Sequence, residues 1–318
     1  MRVLKFGGKS LSTLKKVQNI AKFIKKIYKN EKKLVIIVSA MGNKTDELIN
    51  QANKFSNEKH TKNEMAKLLS TGETESAALF AMALQAENLK AKSFGAYELQ
   101  IETFGDSLES RIAYINKSKL ETHLNQNTIC VVSGFQGINQ NNEITTLGRG
   151  GSDTTAVAIG AIFGVNPEIY SDFDGVFSGD PREFNFKKLK SIDYTAMKNM
   201  ADSGAKVIDS RATELAEKFN IDIISKNSEY PSRTGSKITR IENDIVSIAS
   251  INHLCLVSII FSQKSKQQFI VKNVILCLKD VDFYNFKLEK EKLSFLISTE
   301  KKAKVMAEIS KKLHLASK

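Results

Sequence analysis

One feature constrains this chain more than any other: apolar β-branched runs alternate with segments whose apolar residues recur at helical spacing. The runs at 3–6, 34–39, 128–133, 168–171 and 221–225 carry almost no polar alternation. Such runs suit strands buried on both faces. Between them, 15–28 places Val17, Ile20, Ala21, Ile24 and Ile27 on one face, the period of an amphipathic helix. Helices are likewise expected over 46–55, 64–87, 152–163, 193–202 and 210–219, with Ser152 or Asp153 near the N-cap of the third of these. This alternation predicts an α/β fold: a three-layer α/β/α sandwich around a mainly parallel sheet. Ligands of such sheets bind beyond the carboxyl ends of the strands.

Glycine marks where that architecture stops. All 17 Gly and all 3 Pro of the 318 residues lie at or before Gly235, and glycine serves tight turns and close ligand approach. The chemistry is therefore expected in a domain spanning 1–240. A smaller module spans 241–318, with strand, helix, two strands and helix expected at 254–261, 264–278, 284–288, 293–298 and 301–313. That β-α-β-β-α order is ferredoxin-like, short of a final strand.

Composition removes several function classes. No apolar stretch approaches the roughly 18 residues that span a bilayer, and MRVLKFGGKS lacks an apolar signal region. No membrane association or secretion is expected. Three scattered cysteines (Cys130, Cys255, Cys277) make neither a disulfide framework nor a zinc site; buried reduced thiols and a cytoplasmic location are expected. The net charge of +12 comes mainly from dispersed lysines, some of them in doublets, without the arginine stripe or interleaved aromatics of a nucleic-acid surface. No nucleic-acid partner is expected, although a basic protein draws anionic substrates.

Four segments carry candidate chemistry. Lys5-Phe6-Gly7-Gly8-Lys9-Ser10 sets a lysine near the end of the first strand, then two glycines, then a helix. The arrangement suits phosphate, and Lys5 would place a point charge on a transferring phosphoryl group. The spacing is not that of a Walker A loop, and a plain tight turn reads equally well. In the second segment, 145–155, three glycines, Arg149 and a Ser152-Asp153 helix start fall together; the helix start favours an anion, Arg149 offers a fork for a carboxylate or phosphate, and Asp153 could orient or balance Lys5. The third, 171–182, sets Asp172, Asp174, Gly175, Gly179 and Arg182 directly after a buried strand. It reads as a nucleotide edge or as a surface turn with Asx caps. The fourth pairs Ser39 and the 40–45 turn with Thr71-Gly72-Glu73. Glu73 borders an apolar helix face, where a carboxylate needs a partner: a substrate ammonium or a neighbouring lysine.

Together these residues suit Mg-dependent phosphoryl transfer to an amino-acid carboxylate. That acceptor is already ionised at neutral pH, so positioning and charge neutralisation suffice without a general base. The four histidines (His60, His123, His253, His314) all lie outside the motifs.

KFGGKS at 5–10, VSAMGNKTDELI at 38–49, STGETES at 70–76, GFQGINQNNEITTLGRGGSDTTAVA at 134–158 and IYSDFDGVFSGDPR at 169–182 resemble the aspartate kinases, within the wider amino-acid kinase family. The likeness runs through YPSRTGSKI at 230–238. It implies transfer of the ATP γ-phosphoryl group to the L-aspartate side-chain carboxylate, giving 4-phospho-L-aspartate on the way to lysine, threonine and methionine. It implies ATP and Mg2+ as cofactors, the metal held mainly by the ATP phosphates, and a homodimer with an ACT-like C-terminal module. Carried over by position, Lys5 and Asp153 are catalytic, with Asp153 orienting Lys5. Ser39, Thr45, Glu73, Arg149, Gly150, Gly151 and Ser152 bind aspartate, Glu73 taking its ammonium and Arg149 its α-carboxylate. Lys5, Phe6, Gly7, Gly8, Ser171, Asp172, Phe177, Arg182, Lys206 and Val207 contact nucleotide.

Three positions depart from the resemblance. Lys9 stands where the family usually has Thr, Asp209-Ser210 where it usually has His-Pro, and 241–318 has room for about one ACT module rather than two. Weak or absent inhibition by lysine or threonine is the corresponding expectation. A kinase for another acidic amino acid, such as glutamate, and a non-catalytic regulatory homologue are the alternatives.

Overall fold

The computed structural model describes residues 1–315 other than 57–60, 183, 204, 206, 242–245, 252–254, 262–265, 280 and 282. In chain order the strands are β1 (Arg2–Phe6), β2 (Leu34–Val38), β3 (Ala91–Phe94), β4 (Ile101–Phe104), β5 (Arg111–Ile115), β6 (Ile129–Ser133), β7 (Gln136–Ile138), β8 (Ile144–Thr146), β9 (Glu168–Ser171), β10 (Ser191–Ile192), β11 (Ile223–Asn227), β12 (Ser236–Ile238), β13 (Val246–Ile251), β14 (Leu256–Phe261), β15 (Phe283–Leu288) and β16 (Lys292–Ile297). The α-helices are α1 (Leu14–Tyr28), α2 (Lys44–Ser56), α3 (Lys62–Ala86), α4 (Ala96–Leu99), α5 (Lys117–Asn125), α6 (Gly151–Phe163), α7 (Tyr194–Asp202), α8 (Ser210–Phe219), α9 (Gln267–Cys277) and α10 (Lys302–Lys312).

The main sheet has eight strands in the order β10-β12-β11-β9-β1-β2-β6-β3. Every pairing is parallel except β11 with β12. The pleat divides the β2 run between two helical layers. Leu34, Ile36 and Val38 join Val17, Ile20 and Ile24 of α1 and Phe80 and Leu84 of α3. Val35 and Ile37 face the other way, toward Leu120 and Leu124 of α5 and Ala156 and Ile159 of α6. A strand that feeds two cores has no place for polar alternation, which is why its sequence has none. Register sets the carboxyl ends level: Phe6 lies opposite Val38 and Tyr170, Val38 opposite Ser133, and Asn227 opposite Ser171. Residues 7, 39, 134, 172 and 228 therefore share one rim.

A second sheet, β5-β4-β7-β8, lies in a stretch where the sequence pattern predicts no strands. Its strands are three to five residues long and held partly by polar contacts, such as Thr103 Oγ1 donating to the Ile138 carbonyl at 3.0 Å. It leads β8 directly into the 147–151 loop. Another correction concerns α6. Its N-cap is Gly150, left-handed at φ 69°, with Ser152 and Asp153 already inside the first turn. The expected strand at 221–225 begins later, at Ile223.

The C-terminal sheet runs β13-β14-β16-β15, antiparallel throughout, with α9 and α10 packed on its core through Ile270, Val274, Val305, Met306 and Ile309. The strand missing from the expected ferredoxin-like order has a substitute. The edge beside β14 is filled by β13, which precedes the module's other elements instead of following them. This sheet also meets the larger one: Phe177, Phe184 and Phe186 join its core, and Ser178 Oγ and the Lys187 amide both donate to the Leu315 carbonyl, at 2.9 and 3.0 Å. All three cysteines are buried and free. Among the described residues no helix is long and apolar enough to cross a membrane.

Candidate active site at the carboxyl rim of the parallel sheet

At the end of β1, Lys5 turns its ammonium onto Asp153 in the first turn of α6, with Nζ 2.6 Å from Oδ1 and both side chains about nine-tenths buried. A buried cation needs its partner, and here the pair brings the first and second candidate segments together. Past it, the Gly7 amide donates to the Tyr170 carbonyl at 3.2 Å. Gly7 is thus committed to the neighbouring strand, and its N–H is not offered to an anion as the sequence suggested. Gly8 is needed for close approach: a Cβ there would lie 2.6 Å from the Ala40 carbonyl oxygen. The Gly42 amide donates to Gly8 O at 2.9 Å, tying the 40–45 turn to this loop. Phe6 does not face the site; its ring is fully buried and stacks on Tyr170 at 4.8 Å.

Glu73 approaches from α3. Gly72 lets the helix close on the 40–45 turn, since a Cβ there would stand 3.0 Å from the Ala40 Cβ. The Glu73 carboxylate is 3% exposed. Its Oε1 accepts from the Ala40 amide at 3.1 Å, while Oε2 is buried with no hydrogen-bond partner among the described residues. Burial pushes its pKa up to about 7, against the lowering effects of the Ala40 amide and of the Lys5 charge. Among the described residues no lysine forms an ion pair with it, although the Lys5 charge acts on it. Ser39 follows β2 on the same rim, its amide donating to Phe6 O at 3.2 Å, and Thr45 sits half-buried in the first turn of α2.

The 148–151 loop forms the opposite wall. Gly148 and Gly150 are both left-handed, at φ 71° and 69°, and Arg149 between them is exposed. Gly151 and Ser152 are buried at the start of α6. A Cβ at Gly134 would stand 2.7 Å from Ser152 Oγ, so the glycine after β6 is what admits Ser152 to the rim. Sequence reasoning gave Gly134 no role of its own, and its signal was only its place one residue past a buried strand. It also missed the Ala40 amide, Arg211 and Asn227.

The segment after β9 divides in two. Ser171 and Asp172 stay at the rim. Ser171 Oγ accepts from the Phe173 amide at 3.1 Å, and Asn227 Nδ2 donates to the Asp172 carbonyl at 3.3 Å. Asp172 Oδ2 meets Lys9 Nζ at 3.1 Å, both groups exposed, so Lys9 turns toward the segment after β9. Arg182 clasps Asp180 two residues before it, at 2.6 Å, and holds that carboxyl below the usual range. Phe177 is not brought to the site; it packs partly buried against the C-terminal core. Val207 likewise packs against the cluster formed by α7 and α8. Lys206 lies outside the described residues.

A family model described as "Amino acid kinase family" matches residues 1–227. The chain is 38% identical over 266 residues to an aspartokinase of Rickettsia felis, covering 81% of this chain and 66% of the relative. It is 42% identical over 228 residues to an aspartokinase of Bacillus sp. strain MGA3, covering 71% and 55%. The chain thus spans somewhat less than two thirds of the length of these relatives. In fold it matches E. coli aspartokinase III, solved with aspartate and ADP, at a TM-score of 0.82 and 16% identity, covering 99% of this chain and 100% of that one. With the family model covering residues 1–227, every strand of the parallel sheet but β12, the chain belongs to the amino-acid kinase family.

Proposed function

We propose that the protein is an aspartate kinase, transferring the γ-phosphoryl group of ATP to the side-chain carboxylate of L-aspartate. The observation that carries this reading is Glu73 Oε2, buried without a partner beside the Lys5–Asp153 pair. A buried carboxylate oxygen of this kind asks for a cation, and the α-ammonium of a free amino acid supplies one. Arg149 then takes the α-carboxylate as a charge-assisted pair, which leaves the side-chain acid directed at Lys5.

The acceptor is ionised and attacks without a general base. Lys5 neutralises charge building on the transferring phosphoryl oxygens, and Asp153 keeps its ammonium from swinging away. Gly8 lets the phosphate loop close on the 40–45 turn, and Ser171, Asp172 and Lys9 border the nucleotide's path. The donor set suits a metal carried mainly by phosphate oxygens, because Mg2+ keeps several waters and takes one or two carboxylates, and Asp172 at this rim makes an exposed pair with Lys9 that such a metal could replace. Bound there, Mg2+ would offset the charge of the β- and γ-phosphates.

The finer reading goes with it: a catalytic unit over 1–240, an ACT-like unit over 241–318, a homodimer, and a cytoplasmic place at the first step toward lysine, threonine and methionine. ADP release with Mg-ATP and a panel of acidic amino acids tests the activity. Release that requires aspartate and is not matched by glutamate supports it; release with glutamate alone, or with neither, overturns it.

A further inference from the structure

The turn before α8 departs from the family likeness at Asp209-Ser210, and the structure carries it to an unexpected place. Asp209 caps α8, its Oδ1 accepting from the Arg211 amide at 3.0 Å, and Arg211 Nε lies 3.4 Å from the same oxygen. From this fixed position the two side chains reach across to the 148–151 loop. Arg211 Nη2 donates to the Arg149 carbonyl. A Cβ on Gly148 would stand 3.1 and 3.2 Å from the two Arg211 Nη atoms, and one on Gly150 would overlap the Asp209 carboxylate. Both left-handed glycines thus present bare backbone to the start of α8, and Asp209 and Arg211 fill the space. Asp209 is mostly buried, and burial together with the Asp153 charge raises its pKa. The charge of Arg211 offsets that cost.

We propose that Asp209 and Arg211 are positioning residues: they clamp the 148–151 backbone in its left-handed conformation and so aim Arg149 at the α-carboxylate of the amino-acid substrate. Glycine before and after Arg149 would otherwise leave that loop with wide conformational freedom, and an arginine on a loose loop loses affinity to ordering. Neither clamp residue touches substrate; both act through the Arg149 carbonyl and the bare faces of Gly148 and Gly150. The role rests on Arg149 being the carboxylate reader.

Arg211→Ala, Arg211→Lys and Asp209→Asn are compared with the full-length protein by steady-state kinetics and by amide hydrogen exchange over 147–153. Arg211→Ala is expected to raise the aspartate KM about tenfold, the worth of one hydrogen bond from a charged donor. The ATP KM and kcat stay within twofold, and exchange in the loop speeds up. Arg211→Lys, which can still donate once to the Arg149 carbonyl, recovers part of both effects. Asp209→Asn keeps the cap and falls between. An unchanged aspartate KM with unchanged exchange overturns the clamp, as does a parallel loss in both substrates' KM values and kcat without rescue by lysine. Should the wild type fail to turn over aspartate, the exchange result alone judges the clamp while the proposed activity falls.

Discussion

Glu73→Gln separates the proposed chemistry from a merely structural carboxylate. Glutamine keeps the shape and can still accept from the Ala40 amide that now bonds Oε1 at 3.1 Å, but it cannot meet an ammonium with a negative charge. A hydrogen bond to a charged group contributes about 1.5–3 kcal/mol, so the aspartate KM should rise roughly 10- to 150-fold with the ATP KM little changed. The pH dependence sharpens the test. With its pKa raised from 4.5 to about 7 by burial, Glu73 in the free enzyme is roughly one tenth ionised at pH 6 and nine tenths at pH 8. The wild-type aspartate KM should therefore fall about tenfold across that interval, and that of Glu73→Gln should stay flat. Stability moves the opposite way. The folded protein holds this proton more tightly than the unfolded chain, so stability drains as pH rises from 4.5 through about 7. The loss is on the order of 3 kcal/mol at 1.36 kcal/mol per pH unit, and the substitution should abolish it. Urea titrations of both proteins at pH 5 and pH 8, together with KM profiles, read these effects. Equal aspartate KM values and parallel pH profiles in the two proteins would refute the assignment of Glu73 to the substrate amine.

Lys5→Met should lower kcat by about 100- to 1,000-fold, the usual cost of one charge-stabilising donor, and should also lower the melting temperature because Asp153 is left buried without its partner; a coupled ADP assay and a thermal melt check both. Arg149→Ala should raise the aspartate KM by a factor matching about 1.5–3 kcal/mol while leaving stability unchanged, since the side chain is exposed. Gly8→Ala should cost about 1–3 kcal/mol in overpacking and weaken ATP binding, because its Cβ would press within 2.6 Å of the Ala40 carbonyl; calorimetric titration with an ATP analogue measures it. Lys9→Thr should change stability by no more than about 1 kcal/mol, because the Lys9–Asp172 pair is exposed; chemical denaturation checks this.

How much of this was legible in sequence depended on how locally each feature is determined. The strands at Leu34–Val38 and Ile129–Ser133 declare themselves because burial on both faces leaves the two runs apolar up to the final Ser133. The Lys5–Asp153 contact could be suspected, since strand ends and helix starts share the carboxyl rim of a parallel sheet, but it is the packing of α6 on β1 that brings the two together. The small β5-β4-β7-β8 sheet could not. Its short strands mix threonine, glycine and charged residues, and what fixes them is pairing with partners up to about 40 residues away. The family resemblance implies Phe177 as a nucleotide contact, yet it packs on the C-terminal core, a destination set by tertiary packing that no local pattern encodes. The same holds for Asp209, whose capping role is local but whose contact with Gly150 depends on how α6 and α8 pack.

A crystal structure with a non-hydrolysable ATP analogue, Mg2+ and L-aspartate tests the central claim most directly. The terminal phosphate is expected within hydrogen-bond reach of Lys5 Nζ, the aspartate ammonium on Glu73 Oε2 and its α-carboxylate on Arg149. A nucleotide bound away from the β1 rim, or an aspartate whose ammonium leaves Glu73 unpartnered, would contradict it.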